Sequence, residues 1–226
     1  MLSSTGCTFK TDESVEKGIQ MLIAMCGING CGKSLQARLL QKHFQERDRQ
    51  CLITKAYDEA AKATCRPLIE TWGNEIATTF LLQALQSQQY VKTKRLLEEG
   101  AVVIADRWDE SYLAHHENFG FLADRDELRT TLNLITFQGL LPDIGFLLDI
   151  PLTVAKERRG ARGEAERFGH RPDAYYETIQ RAYYKIAKER DWRVIDGTQA
   201  PEVIHGQVVD TLIDRELLSR SGGEAQ

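Results

Sequence analysis

The chain has few of the features that would take it outside ordinary globular proteins. Its 226 residues hold only five cysteines, Cys7, Cys26, Cys31, Cys51 and Cys65. That odd number, with no CxxC pair and no histidine at zinc-ligand spacing, excludes a disulfide framework or a zinc module and points to a reducing cytoplasm. No apolar run approaches the ~20 residues needed to cross a bilayer, so no membrane partner is expected. The first twenty residues carry Asp12, Glu13 and Glu16 and lack the apolar core of a secretory signal. Basic charge is not in excess either: 29 Lys and Arg against 33 Asp and Glu give a net charge of -4, which argues against a protein that grips duplex nucleic acid by its backbone. Repeats and low-complexity tracts are absent.

What is present is 42% hydrophobic and 27% charged sequence, enough for one sizeable core. Residues 1–20 read as a polar tail, 21–218 as one domain and 219–226 as a second tail. Within the domain, short apolar runs alternate with helical periodicity. The runs 22–26, 51–54, 101–105, 145–150 and 192–195 read as strands. Leu35, Leu39, Leu40 and Phe44 mark a first helix, and Ile76, Phe80, Leu81, Leu85 and Leu96 mark one or two more. Further helices are expected near 126–138, from 152, from Pro172 to about Arg190 and from Pro201 to about Leu218. Wholly apolar strands joined by helical crossovers imply a parallel sheet covered on both faces, an α/β three-layer fold.

The segment Gly27-Ile28-Asn29-Gly30-Cys31-Gly32-Lys33-Ser34 satisfies GxxxxGK[ST] between the first strand and the first helix. Glycines let backbone N–H groups face a polyphosphate, and the helix N-terminus adds partial positive charge there. Lys33 would reach the β- and γ-phosphates and Ser34 would help to hold Mg²⁺, so ATP or GTP binding is expected. Cys31 reads as a small filler in the loop.

The third strand ends in Asp106-Arg107, and ligands of open α/β sheets gather at carboxyl ends of strands. Asp106 could orient Mg²⁺ or accept a proton, and Arg107 could grip an acceptor's phosphate. Five arginines then fall between Arg158 and Arg171, interleaved with Gly160, Gly163 and acids. Such a run is either a solvated face or a closing lid, about 158–171, whose arginines neutralise a phosphoryl group in transfer.

In this order, Gly27–Ser34, Ala105-Asp106-Arg107-Trp108 with Ser111 and Ala114, Pro142-Asp143 before Leu147-Leu148-Asp149, the segment Ala161–Phe168, the pairs Tyr175-Tyr176 and Ala182-Tyr183, and Val194-Ile195-Asp196 resemble the thymidylate kinase family of P-loop nucleoside monophosphate kinases over about residues 21–215. The resemblance implies a five-stranded parallel sheet, MgATP as donor, a nucleoside monophosphate as acceptor and a homodimer. It also implies that Asp196, Gly197 and Thr198 lie against the adenine and that Arg158, Arg162 and Arg167 act from the lid. On the acceptor side the chain departs from the family pattern. Asn29 stands where an acid is usual in the phosphate loop, and Thr54-Lys55-Ala56-Tyr57 replaces Thr-Arg-Glu-Pro. An ungapped alignment puts Gln83 and Ser87, one helical turn apart, where the family has Phe and Arg, and His115-His116 where Tyr-Gln is common. Lys55, Gln83, Ser87, Arg107, Ser111 and His115 are accordingly the expected acceptor contacts. Trp72, Trp108 and Tyr112 read either as core or as a replacement aromatic wall. A kinase of an unphosphorylated acceptor such as a nucleoside, or a nucleotide-binding regulator without turnover, are the other readings these departures allow.

Overall fold

The computed structural model describes residues 20–161, 171–215 and 217. The two tails, apart from Gln20, and the lid arginines Arg162 and Arg167 lie outside those residues.

Branched and small apolar side chains form the strands β1 (Met21–Cys26), β2 (Cys51–Thr54), β3 (Val102–Asp106), β4 (Ile144–Asp149) and β5 (Arg193–Asp196). They make one sheet in the order β2-β3-β1-β4-β5, with every pairing parallel. Every residue of β1 and β3 is buried, as two-sided coverage of a parallel sheet demands. The register sets Met25 beside Asp106 and Cys26 beside Leu147, so the strand ends that carry the site lie next to one another.

The flanking helices are α1 (Lys33–Gln45), α2 (Glu59–Trp72), α3 (Glu75–Glu98), α4 (Asp109–His116), α5 (Asp126–Phe137), α6 (Leu152–Gly160), α7 (Asp173–Glu189) and α8 (Pro201–Asp214). The stretch with one or two expected helices resolves into two because Gly73 turns left-handed at φ 55° and Asn74 caps α3, its Oδ1 accepting from the Ala77 N–H at 3.1 Å. Helix α4 is not legible as periodicity. It has eight residues, and its buried set, Asp109, Glu110, Tyr112, Ala114 and His116, is mostly polar.

Helix α1 is rotated from the expected apolar face. Leu35 is 39% exposed, and Gln36 is buried in its place because its Nε2 donates to the Pro201 carbonyl at the start of α8, at 2.9 Å. Trp108 and Tyr112 belong to the core, at 1% and 2% exposure, whereas Trp72 is 46% exposed.

Gly145 in β4 lies under the end of α7, where a Cβ would overlap the indole ring of Trp192. Substitution Gly145→Ala should force that ring out of a close-packed position, costing about 1–3 kcal/mol. A chemical-denaturation midpoint equal to wild type would show that the ring has room to move.

Candidate active site

The phosphate loop wraps between β1 and α1. Two of its glycines are required by space as well as by backbone: Gly27 at φ 131° has the Leu148 carbonyl 2.5 Å from where a Cβ would sit, and Gly30 at φ 97° has the Ala155 carbonyl at 2.7 Å. Ile28 and Cys31 are buried filler. Lys33 folds back over the loop, its Nζ donating to the carbonyls of Gly27 and Ile28 at 3.0 Å each and lying 3.6 Å from the Cys31 sulfur. Burial first, and then Arg107, lower its pKa.

Asp106 ends β3 beside the loop. Its Oδ2 accepts from Ser34 Oγ at 2.7 Å and from Lys55 Nζ at 3.0 Å. Burial works against its ionisation, but Lys33, Lys55, the Ser34 hydrogen bond and Arg107 outweigh it and hold the pKa at about 2. An ionised carboxylate and a hydroxyl at this spacing are the hard oxygen donors Mg²⁺ favours, and Mg²⁺ ordinarily takes one or two protein oxygens and fills the rest of its shell with water and phosphate. Ser34 and Asp106 therefore fit the ion.

Arg107 is the second centre. Its φ of 76° is left-handed, a costly conformation for a side chain of this size, and it is held by neighbours: its N–H donates to Met25 O at 3.2 Å and its carbonyl accepts from Gln89 Nε2 at 3.0 Å. That turn sends the guanidinium towards the phosphate loop, where Nη2 donates to Asn29 Oδ1 at 2.8 Å and Nη1 to Ser111 Oγ at 3.2 Å and to the Tyr183 hydroxyl. Burial disfavours its charge, yet Tyr183, Asp106, Cys31 and Glu110 more than compensate, and its pKa is raised.

The structure thus brings together Asn29, Lys33, Ser34, Lys55, Asp106, Arg107 and Ser111. Arg158 lies at the edge of the site, its Nη1 donating to the Gly197 carbonyl at 2.8 Å, and Asp196 Oδ1 shapes the same turn by accepting from the Thr198 N–H at 2.9 Å and the Thr198 hydroxyl at 2.6 Å. Gln83 is buried between α3 and α5, where its Oε1 accepts from Thr136; Ser87 is half-buried one turn further along α3. The sequence reading did not single out Gln89, Tyr183 or Glu110. Tyr183 had a signal in the Ala182-Tyr183 pair, whereas Gln89 and Glu110 had none.

His115 sits one turn beyond Ser111 on α4, with Nδ1 3.1 Å from the Tyr175 hydroxyl. Burial and then Arg171 push its pKa down to about 4; burial, His115 and Arg129 push His116 down to about 3. The unfolded chain takes up these protons near pH 6.5, the folded chain only near 4 and 3, so stability is full above pH 6.5 and falls as pH drops towards 3. For His115 alone the loss is roughly 3 kcal/mol. Thermal midpoints at pH 7 and 4.5 should show the fall, and His116→Phe should shrink it; a fall of the same size in that variant would put the acid sensitivity elsewhere.

A parallel sheet with a phosphate loop after β1, an oxygen pair that fits Mg²⁺ and a half-buried arginine facing the loop defines a P-loop phosphotransferase. The profile of the thymidylate kinase family matches residues 26–208, and the chain belongs to that family. It is 30% identical over 201 residues to the thymidylate kinase of Thermosipho melanesiensis, covering 86% of this chain and all of the relative. It is 32% identical over 199 residues to that of Desulfovibrio desulfuricans, with 80% and 90% covered. The crystal structure of thymidylate kinase from Ehrlichia chaffeensis shares the fold at a TM-score of 0.63 and 22% identity, covering 85% of this chain and 97% of that one.

Proposed function

We propose that the chain transfers the γ-phosphoryl group of MgATP to a nucleoside monophosphate, with dTMP, the acceptor implied by its relatives' name, as the first candidate. The observation that carries the reading is the Arg107 guanidinium aimed from the end of β3 at Asn29 of the phosphate loop: a fixed cation opposite the donor site suits an acceptor that brings its own phosphate. The loop amides and Lys33 hold the donor phosphates, and Arg107, Lys55 and Ser111 orient the acceptor in line with them. Ser34 and Asp106 would hold Mg²⁺, which would supply positive charge to the donor phosphates. Arg158, beside the Gly197 carbonyl at the edge of the site, is assigned to the transferring group. His115, Gln83 and Ser87 are assigned to the acceptor side, and Asp196, Gly197 and Thr198 to the adenine side.

Two further parts of the reading have support of their own. Val91 on α3 and Leu128, Leu134 and Ile135 on α5 are exposed apolar residues of two helices that pack together, which suits a homodimer; sedimentation at a mass near 25.6 kDa would remove that part. Cys26, Cys31, Cys51 and Cys65 are free thiols, in keeping with a cytoplasmic setting, and no helix among the described residues is long and apolar enough to cross a membrane. The test of function is ADP formation from MgATP with each common ribo- and deoxynucleoside monophosphate beside a no-acceptor control. Turnover with dTMP supports the reading as stated, turnover with another monophosphate assigns Asn29, Lys55, Gln83 and Ser87 to a changed acceptor choice, and ATP binding without turnover overturns it.

A further inference from the structure

Glu110 is a fully buried carboxylate for which the transfer reaction has no use. Among the described residues it forms no salt bridge: Arg190, the nearby cation just past the end of α7, is committed to Asp109 through two bonds of 2.8 and 2.5 Å. Both Glu110 oxygens instead accept from the Trp108 N–H, at 3.1 and 2.9 Å, and Oε1 accepts from Ser111 Oγ at 2.9 Å. These two partners flank the acceptor grip. Trp108 is the residue after Arg107, so tying its amide fixes the left-handed turn that aims the guanidinium. Ser111 is the hydroxyl to which Arg107 Nη1 donates, and it lies 3.1 Å from the Tyr183 hydroxyl, the other acceptor for that nitrogen. A hydroxyl has one hydrogen. While Ser111 gives it to a Glu110 carboxylate, its lone pairs are left for Arg107.

We infer that Glu110 is a positioning residue for acceptor binding, its carboxylate holding Arg107 in place through Ser111 and the Trp108 amide. The inference rests on the monophosphate-kinase reading of the site. Capping of α4 would account for the bond to Trp108 alone. The bond to Ser111, shared with Arg107, is what extends the role to the acceptor.

The charge state of Glu110 is adjustable near neutrality. Burial and then Asp109 raise its pKa to about 7, against the Ser111 bond, Arg107 and the Trp108 N–H. The other groups facing it are Tyr183 on α7, Arg190 just past the end of α7 and Cys26 on β1. Below neutrality the protonated carboxyl becomes a donor and competes for Ser111 Oγ, turning the serine hydrogen towards Arg107 and weakening the hold.

The test compares wild type with Glu110→Gln, which keeps the shape and one accepting oxygen, across pH 5.5–8.5. The best monophosphate from the acceptor panel is the probe. The ratio of the two enzymes' kcat/KM for acceptor cancels the titration of the acceptor's own phosphate. It should be about tenfold at pH 8.5 and fall towards one below pH 6, with the KM for ATP and kcat at saturating acceptor little changed. A ratio flat with pH, a tighter acceptor KM in the variant, or equal effects on ATP and acceptor would overturn the proposal. If Glu110→Gln folds poorly, Ser111→Ala keeps the α4 cap and cuts the link, and its ratio to wild type should fall with acid in the same way; retention of the wild-type pH profile would be fatal. Calorimetric binding of the same monophosphate, read without turnover, separates the two claims. Glu110-dependent binding without turnover would sink only the kinase reading, turnover with a flat ratio only the positioning role, and neither binding nor turnover would sink both.

Discussion

Replacing Lys33 by methionine is expected to lower turnover by about 10³-fold, near 4 kcal/mol of barrier, while leaving the fold intact. Lys33 is buried with its Nζ on the carbonyls of Gly27 and Ile28, and burial already lowers its pKa, so holding its charge there costs stability. Methionine fills a similar volume without that cost, which offsets the loss of the donor to the buried carbonyls of Gly27 and Ile28. Its thermal midpoint should therefore stay close to that of wild type. The loss falls on the reaction because, among the described residues, no other ammonium sits on the carbonyls of Gly27 and Ile28; Lys55 lies 3.0 Å from Asp106 instead. The decisive readings are turnover at saturating ATP and acceptor beside the thermal midpoint. Normal turnover in a folded variant would mean the donor phosphates are held elsewhere, and turnover and midpoint falling together would make Lys33 a structural residue.

Arg107→Gln should act on the other substrate. Glutamine can still donate towards Asn29 or Ser111, but it brings no charge to an acceptor phosphate. A charge-assisted hydrogen bond is worth about 1.5–3 kcal/mol, so the acceptor KM should rise about 10- to 150-fold with the KM for ATP almost unchanged. The buried Tyr183 hydroxyl loses its cationic donor, and its pKa, now held at about 12 by burial against the pull of Arg107, should rise further. A neutral acceptor such as a nucleoside would not register the loss of charge. Equal acceptor kinetics in wild type and Arg107→Gln would thus both remove Arg107 from the site and favour an unphosphorylated acceptor.

The parts of this protein that could be read without coordinates are those written in contiguous residues. All five strands were legible to within a residue or two; in β1, β3 and β4 two-sided burial requires unbroken apolar runs, whereas the edge strand β5 is exposed except at Ile195. The phosphate loop was legible because its glycines and its Lys33-Ser34 pair must sit at set spacings to curve around an anion, and Asp106-Arg107 because a polar pair follows an apolar strand. Helix α4 was not legible, since packing against both α7 and α5 leaves it no single apolar stripe. Nor was the rotation of α1, which a hydrogen bond from Gln36 to Pro201, 165 residues away, decides.

Local chemistry in the sequence thus determined the fold class, the family and the phosphate loop with its Lys33-Ser34 pair. Tertiary structure alone decided how Arg107 is held. Arg107 meets Asn29 across 78 residues of sequence and Tyr183 across 76. Its backbone is kept left-handed by Gln89 from α3, and Gln83, on the same helix, is drawn into the α5 interface by Thr136. Each of these contacts pairs polar groups from distant elements, and hydrogen bonds between distant elements follow no period and leave no local pattern. They exist only once the sheet register has set the ends of β1 and β3 side by side.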